Sequence, residues 1–218
     1  VVQSIGMAIF DVKKDLKEFY LPKRTPSIVD VPAMQFIMID GEGDPNTSAA
    51  YQKAVEVLYA LSYSIKMNKN GIPLYQEYCV APLEGLWWFT DNRFDGSVIG
   101  RKAEFKWIMM IRQPDFVTPA VLEHARLILA KKKPGLDVSG ARLETYTEGL
   151  CAQVMHIGPY DDEPATIAAL EAFIASQGYR TVMSRMRQHH EIYLSDPRNS
   201  APDKLKTVIR HPIERFAG

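Results

Sequence analysis

The sequence predicts an α+β fold. A strand–helix–strand–strand module occurs twice in one mostly antiparallel sheet, with helices on one face and a ligand groove between the copies. Two observations predict it. The first is an approximate internal repeat: residues 34–61 open with Met34-Gln-Phe-Ile-Met-Ile-Asp-Gly-Glu-Gly-Asp-Pro45 and continue as an apolar-periodic run to Leu61, and residues 150–175 open with Leu150-Cys-Ala-Gln-Val-Met-His-Ile-Gly-Pro-Tyr-Asp-Asp-Glu-Pro164 and continue through Ala165–Ala175. Each half reads as strand, Gly/Pro/acidic turn and helix, followed by two strand-like runs. The second is that neighbouring strand-like runs are joined by hairpin-length loops with few helices between them, the pattern of an antiparallel sheet covered by helices.

The elements follow in order. Val12–Phe19 reads as a short helix, followed by an extended arm through Pro22 and Pro26. Pro32 introduces Met34–Ile39, an apolar run suited to a buried strand. The segment 41–47 is dense in turn formers, and Asn46, Thr47 or Ser48 can cap the next helix. Tyr51, Val55, Leu58, Tyr59 and Ser62 keep helical spacing, which predicts an amphipathic helix over Ser48–Asn68. Tyr75–Leu83 reads as a strand, interrupted at Glu84-Gly85 and resumed at Trp87–Thr90. Asp91–Gly100 is a polar turn. Lys102–Arg112 is a strand with Phe105, Trp107, Met109 and Ile111 at period two. Val117–Lys133 is a helix between the halves, closed by Pro134-Gly135.

In the second half, Leu143–Tyr146 and Glu148–His156 are strand-like. The turn 158–164 leads into a helix with Ile167, Leu170 and Ile174 on its apolar stripe, where Pro164 and the acidic residues suit the helix start. His190–Leu194 and Leu205–His211 are strands joined by the loop 195–202. The expected organisation is an N-terminal helix and arm (1–30), a first module (31–114), a connecting helix (115–140) and a second module (141–218), all in one compact domain. The helices are expected to cover the outer face and leave the other face open as the groove.

Composition narrows the partners. Across 218 residues the formal net charge is zero, and Lys131-Lys132-Lys133 is the densest basic run. That triplet suits the C-terminal turn of a helix, so no direct nucleic-acid footprint is read. Cys79 and Cys151 lie far apart in apolar runs, as expected of buried reduced thiols. No run is long and apolar enough to span a bilayer and no signal-peptide pattern is present. The expectation is a cytoplasmic protein without membrane partners, a monomer or homodimer. His156, His189 and His190 have no metal-ligand spacing, and no cofactor motif is present, so neither metal nor cofactor is expected. The Ser-His-Asp order, P-loop and GxGxxG are also missing.

Period two in the run His190–Leu194 puts Glu191 and Tyr193 on one face and Ile192 and Leu194 on the other. From the residues alone, Glu191 is either a groove carboxylate with a raised pKa or an exposed strand residue paired with Arg185, Arg187 or Arg198. Glu84 precedes Gly85, and glycine in a strand often marks a bulge or a close approach. Glu84 is either the pseudo-symmetric partner of Glu191 across the groove or a residue bonded to backbone amides. Trp87, Trp88 and Trp107 fall on adjacent strands, and only one of Trp87 and Trp88 can face the groove fully. Tyr146 and Tyr160 are further candidates, the latter in the turn at the mouth of the second module.

Four segments resemble the gyrase-inhibitor-like (GyrI-like) small-molecule-binding family, which includes effector-binding domains of AraC-type and MerR-type regulators. They are Asp40-Gly-Glu-Gly-Asp-Pro45, Pro82-Leu-Glu-Gly-Leu-Trp-Trp88, Ile157-Gly-Pro-Tyr160 and His190-Glu-Ile-Tyr-Leu-Ser-Asp-Pro197. The resemblance spans about Ser27 to Ile213, and the Leu-Trp-Trp segment is similar to the stand-alone branch. It implies a duplicated module with a groove for hydrophobic, cationic or planar compounds, aromatic walls and an acid at the base in the position of Glu191. For stand-alone members it also implies a hydrolase that opens strained cyclopropane rings of reactive natural products. On that resemblance Glu191 and Tyr160 are the candidate catalytic residues, and Glu84, Trp87, Trp88, Trp107, Tyr146 and Tyr193 the candidate ligand-binding residues. Simple binding of a hydrophobic or cationic xenobiotic is the leading expectation and hydrolysis the alternative.

Overall fold

The computed structural model describes residues 9–89, 101–184 and 186–216. Among the described residues, seven strands and five α-helices run in the order α1 (Val12–Asp15), α2 (Lys17–Tyr20), β1 (Ser27–Glu42), α3 (Ala49–Met67), β2 (Leu83–Phe89), β3 (Phe105–Arg112), α4 (Pro119–Lys132), β4 (Arg142–Ile157), α5 (Glu163–Ser176), β5 (Tyr179–Thr181), β6 (His189–Tyr193) and β7 (Lys206–Arg215). The duplicated unit is β1–α3–β2–β3 followed by β4–α5–β6–β7.

Every named strand pairing is antiparallel, in the order β4-β1-β3-β2-β6-β7. The C-terminal half of β4 then pairs with β7, from Cys151↔Pro212 to Ile157↔Lys206. The six strands therefore close into a barrel, and β5 adds to the far end of β7.

Closure gives the sheet an inside and an outside. Val31, Met34, Phe36, Met38, Leu86, Met110 and Cys151 form one buried cluster, and the strand pairings place these side chains in the barrel interior. The alternate residues face outward. Helix α3 buries Ala54, Val57, Leu58, Leu61 and Ile65 in the cluster that also holds Ile37, Trp87, Trp107 and Met109. Helix α5 buries Ile167, Leu170 and Ile174 against Ala152, Val154, Ile209 and Ile213. Each of these large side chains contributes on the order of 1.5–3 kcal/mol by leaving water. Ser48 caps α3 by accepting from the Tyr51 amide at 3.3 Å, and Thr118 caps α4 by accepting from the Val121 amide at 3.3 Å.

Several sequence expectations change. The predicted first helix is two short turns, α1 and α2. Strand β1 runs straight through Pro32, which its pairing with β4 skips and its pairing with β3 has not yet reached, so the missing amide leaves no broken bond. Leu143–Tyr146 and Glu148–His156 merge into β4, which keeps one register against β1 through Gly149 at φ 71°. Glu84-Gly85 lies inside β2 rather than interrupting a strand, and Tyr75–Pro82 is irregular apart from a bridge of Tyr78 to Phe10. Cys79 is exposed while Cys151 is buried. The predicted turn at 91–100 lies outside the described residues. Helices and groove share the outer face, because the other face of a closed barrel is a filled interior.

Candidate functional site

A cavity of about 1110 Å³ opens on the outer face between α3 and α5, over β2 and β6. One wall is the α3 face carrying Tyr51, Val55 and Tyr59, one turn apart. Trp87 and Phe105 come from β2 and β3, Tyr160 and Glu163 from the start of the α5 segment, and Glu191 and Tyr193 from β6. The seam between the two modules is therefore where the space lies.

The aromatic side is continuous. Trp87 packs against Phe105 with ring centroids 5.2 Å apart and against Tyr51 at 6.0 Å, and Tyr160 meets Tyr193 edge-on at 5.9 Å. Such rings supply flat apolar area and a negative face for a cation. Gly85 allows the Trp87 pose, because a Cβ on that residue would lie 2.6 Å from Trp87 Nε1. Trp87 Nε1 donates to the Tyr193 hydroxyl at 2.9 Å, and that hydroxyl donates to Glu191 Oε2 at 2.6 Å.

Glu191 is the floor of the cavity, with a side chain only 13% exposed. Its Oε1 lies 2.9 Å from His189 Nε2. Burial alone would raise its pKa, but the hydrogen bonds from His189, Tyr193 and Glu163 outweigh burial and hold the carboxyl below the usual range. Glu163 behaves oppositely. Burial first, and then the charge of Glu191, push it well above the usual range. Its buried Oε1 meets no donor among the described residues, which suits a carboxylic acid and not a carboxylate. Burial and the neighbouring charge thus favour the protonated form of Glu163, while its partners favour the ionised form of Glu191. Burial also drives His189 down to about 4, so that ring is neutral at physiological pH.

The eight candidate residues divide evenly. Glu191, Tyr160, Trp87 and Tyr193 line the cavity; Glu84, Trp88, Trp107 and Tyr146 do not. Glu84 neighbours Gly85, the residue paired with Glu191, so period two turns it into the barrel. There it accepts from Tyr20 Oη at 2.8 Å and lies 3.0 Å from His190 Nε2. The expected acid pair across the groove is corrected accordingly. Trp88 and Tyr146 pack with the interior cluster. Trp107 lies on the outer face but beneath α3, over Gly41 and against Tyr51, and does not reach the cavity.

The interior acids form their own network. His190 Nδ1 lies 3.0 Å from Glu148 Oε1, and Arg210 Nη1 donates to Glu148 Oε2 at 2.6 Å. Arg210 also donates to the Phe19 carbonyl at 2.6 Å, and Gln153 to the Glu18 carbonyl at 2.7 Å, which ties the N-terminal helices to the barrel. Burial opposes the charge on His190, but Glu148 and Glu84 outweigh it and raise the ring to about 9.

Cavity residues that the sequence reading did not single out as site candidates include Glu163 and Tyr51. Glu163 looked like one more acid at a helix start, and Tyr51 one more apolar position on an amphipathic helix. The repeat itself was the available signal, since it places both at the corresponding helix starts.

The comparisons with known proteins agree with this architecture. A hydrolase from Listeria innocua is 43% identical, aligning 94% of this chain with 100% of that one at a TM-score of 0.85. An uncharacterized conserved protein from Listeria innocua is 45% identical over the same shares, with a TM-score of 0.88. The EcmrR C-terminal domain, at 12% identity and a TM-score of 0.54 over 88% of this chain and 98% of that one, shares the fold. No curated protein matches the sequence. The model of the GyrI-like small molecule binding domain matches residues 24–214, and the chain belongs to that family.

Proposed function

We propose that the cavity between α3 and α5 binds a planar, largely apolar compound carrying a positive charge. The observation that supports this most is an ionised Glu191 at the floor of a space walled by Tyr51, Trp87, Phe105, Tyr160 and Tyr193. A flat ring system can stack along the aromatic side, and its cation can meet both the carboxylate and the ring faces. Tyr160, at the mouth and partly exposed, would contact the end of the ligand nearest solvent. The test is titration with the planar cationic dye acridine orange, read by tryptophan quenching. Saturable quenching that Glu191→Gln weakens supports the reading, and absence of quenching at high dye concentration removes it.

A second reading is favoured by the proton shared between Glu163 and Glu191, together with the description of a 43% identical relative as a hydrolase. An ionised carboxylate can take a proton from water while a neutral carboxyl beside it gives one up. Acting on a cyclopropane conjugated to a carbonyl, water oxygen would attack a ring carbon and the ring C–C bond would break toward the carbonyl. Glu163 would protonate the carbonyl oxygen as Glu191 takes a proton from the attacking water, so the product is substrate plus water. Incubation with a cyclopropane-bearing alkylator followed by mass spectrometry tests this. A gain of one water, lost in both Glu163→Gln and Glu191→Gln, supports hydrolysis; recovery of intact compound from excess wild-type protein leaves binding alone.

A further inference from the structure

Behind Glu191 a line of groups leads away from the cavity and under α5. His189 Nε2 lies 2.9 Å from Glu191 Oε1, His189 Nδ1 lies 2.7 Å from His211 Nε2, and His211 Nδ1 lies 2.6 Å from Glu171 Oε1. The Thr181 hydroxyl, on β5, lies 2.7 Å and 2.8 Å from the two Glu171 oxygens. Both rings are buried, with side-chain exposures of 0% for His189 and 2% for His211, while Glu171 is 42% exposed. The line therefore begins at the buried cavity floor and ends at the partly exposed Glu171 on α5.

Counting hydrogens makes the line informative. Each of the three contacts joins two atoms that carry lone pairs, so each needs one hydrogen to be attractive. Two neutral imidazoles bring two hydrogens. Two carboxylates bring none. The geometry thus calls for one proton beyond the neutral rings, lying along His189, His211 and Glu171. Among the described residues, the further ionisable groups acting on this line include Glu163 on α5 and Tyr193 and His190 on β6.

We propose that Glu171, His211 and His189 form a charge relay that stores one proton behind Glu191 and exchanges it with solvent at Glu171. In one transfer, His189 Nε2–H passes its proton to Glu191 Oε1 while His189 Nδ1 takes the proton from His211 Nε2. Two bonds to hydrogen break and two form, and the positive charge moves from the rings to the carboxylate, which becomes neutral. The reverse transfer restores it. The proton leaves altogether when His211 Nδ1–H passes to Glu171 and from there to water. His189, His211 and Glu171 act through Glu191 and are positioning residues. Neutralisation of His189 by burial and the lowering of Glu171, which burial opposes and His211 outweighs, fit a stored charge near the solvent end. The use of the relay rests on the reading of the cavity as the site of a cationic ligand: a cation beside Glu191 repels the stored proton, so binding expels it.

Two measurements test this. Nitrogen-15 spectra of the histidine rings at pH 7 count protonated nitrogens without any ligand. Three protonated nitrogens across His189 and His211, falling to two in Glu171→Gln, are expected; two in the wild type would overturn the relay, even if the variant fails to fold. Calorimetric titration with acridine orange in buffers of different ionisation enthalpy counts protons released. About one proton per dye is expected from the wild type, and close to none from Glu171→Gln. Equal release from both proteins overturns the relay, because a merely structural brace would leave the proton count unchanged. If the dye does not bind, the reading of the cavity fails, while the ring count still decides the stored proton.

Discussion

The indole of Trp87 lies over Gly85, where a Cβ would sit 2.6 Å from the indole nitrogen. That close approach lets Trp87 Nε1 reach the Tyr193 hydroxyl, which in turn holds Glu191. Gly85→Ala is expected to push the ring aside and break this chain, costing about 1–3 kcal/mol by overpacking. Denaturant unfolding measures the loss, and dye titration should show weakened binding in the same variant. A variant with wild-type stability and affinity would show that the contact is unimportant.

The two cavity carboxyls are expected to answer differently to the same change. Glu191→Gln removes a charge and should weaken dye binding by about 1 kcal/mol or more, roughly fivefold. Glu163→Gln replaces a neutral acid with a neutral amide and should leave affinity within about twofold, a few tenths of a kcal/mol. Equal losses in the two variants would mean that the proton is not divided as described.

In Glu171→Gln, where binding releases close to no proton, dye affinity should hold from neutral pH down through the ordinary carboxylate range, because the folded Glu191 carboxyl lies below it. It should fall there only when Glu191 itself takes up a proton, whereas in the wild type the release of about one proton per dye adds a fall of about tenfold per pH unit below neutral. Titration of both proteins at a series of pH values checks this, and a loss already complete near pH 6 in the variant would contradict an ionised, hydrogen-bonded Glu191.

The interior network sets a second pH dependence. His190 is raised from 6.5 to about 9, so the folded state holds a proton that the unfolded chain releases. Its stabilising contribution is fully present below pH 6.5 and is lost as pH rises toward 9, with a slope of about 1.4 kcal/mol per pH unit. Glu148, lowered to about 2 because Arg210 and His190 outweigh its burial, acts at the other end. Its contribution is present above the ordinary carboxylate range and is lost as pH falls toward 2. Urea midpoints across pH 6 to 9 should decline; a flat profile would argue against a charged His190.

Tyr20→Phe removes the hydroxyl that donates to buried Glu84. It should destabilise the fold by about 1–3 kcal/mol, the cost of an unsatisfied buried acceptor, and leave dye affinity unchanged, since Glu84 faces the interior. A change in affinity without a change in stability would place Glu84 at the cavity instead.

How much of this was legible in the chain differs from residue to residue. Alternation along β6 correctly set Glu191 and Tyr193 on one face. The same alternation along β2 contained the answer for Glu84, but the assumed break at Glu84-Gly85 hid it. Glycine inside a strand looks like an interruption until the indole that occupies its empty side is seen.

The sequence by itself determined the duplicated strand–helix–strand–strand plan, Glu191 and Tyr193 on one strand face, and the seam between the copies as the place to look for a cavity. These depend on periodicity and repetition, which are local properties of the chain. Only the tertiary structure decided that β4 pairs with β7 and closes the barrel. Closure consumes one face of the sheet as interior, sends Glu84 and Tyr146 into it, and obliges the cavity to share the outer face with α3 and α5. That long-range pairing also sets α5, with Glu163 and Glu171, beside the strands that carry Glu191 and His211, contacts between residues distant in sequence that no local pattern records.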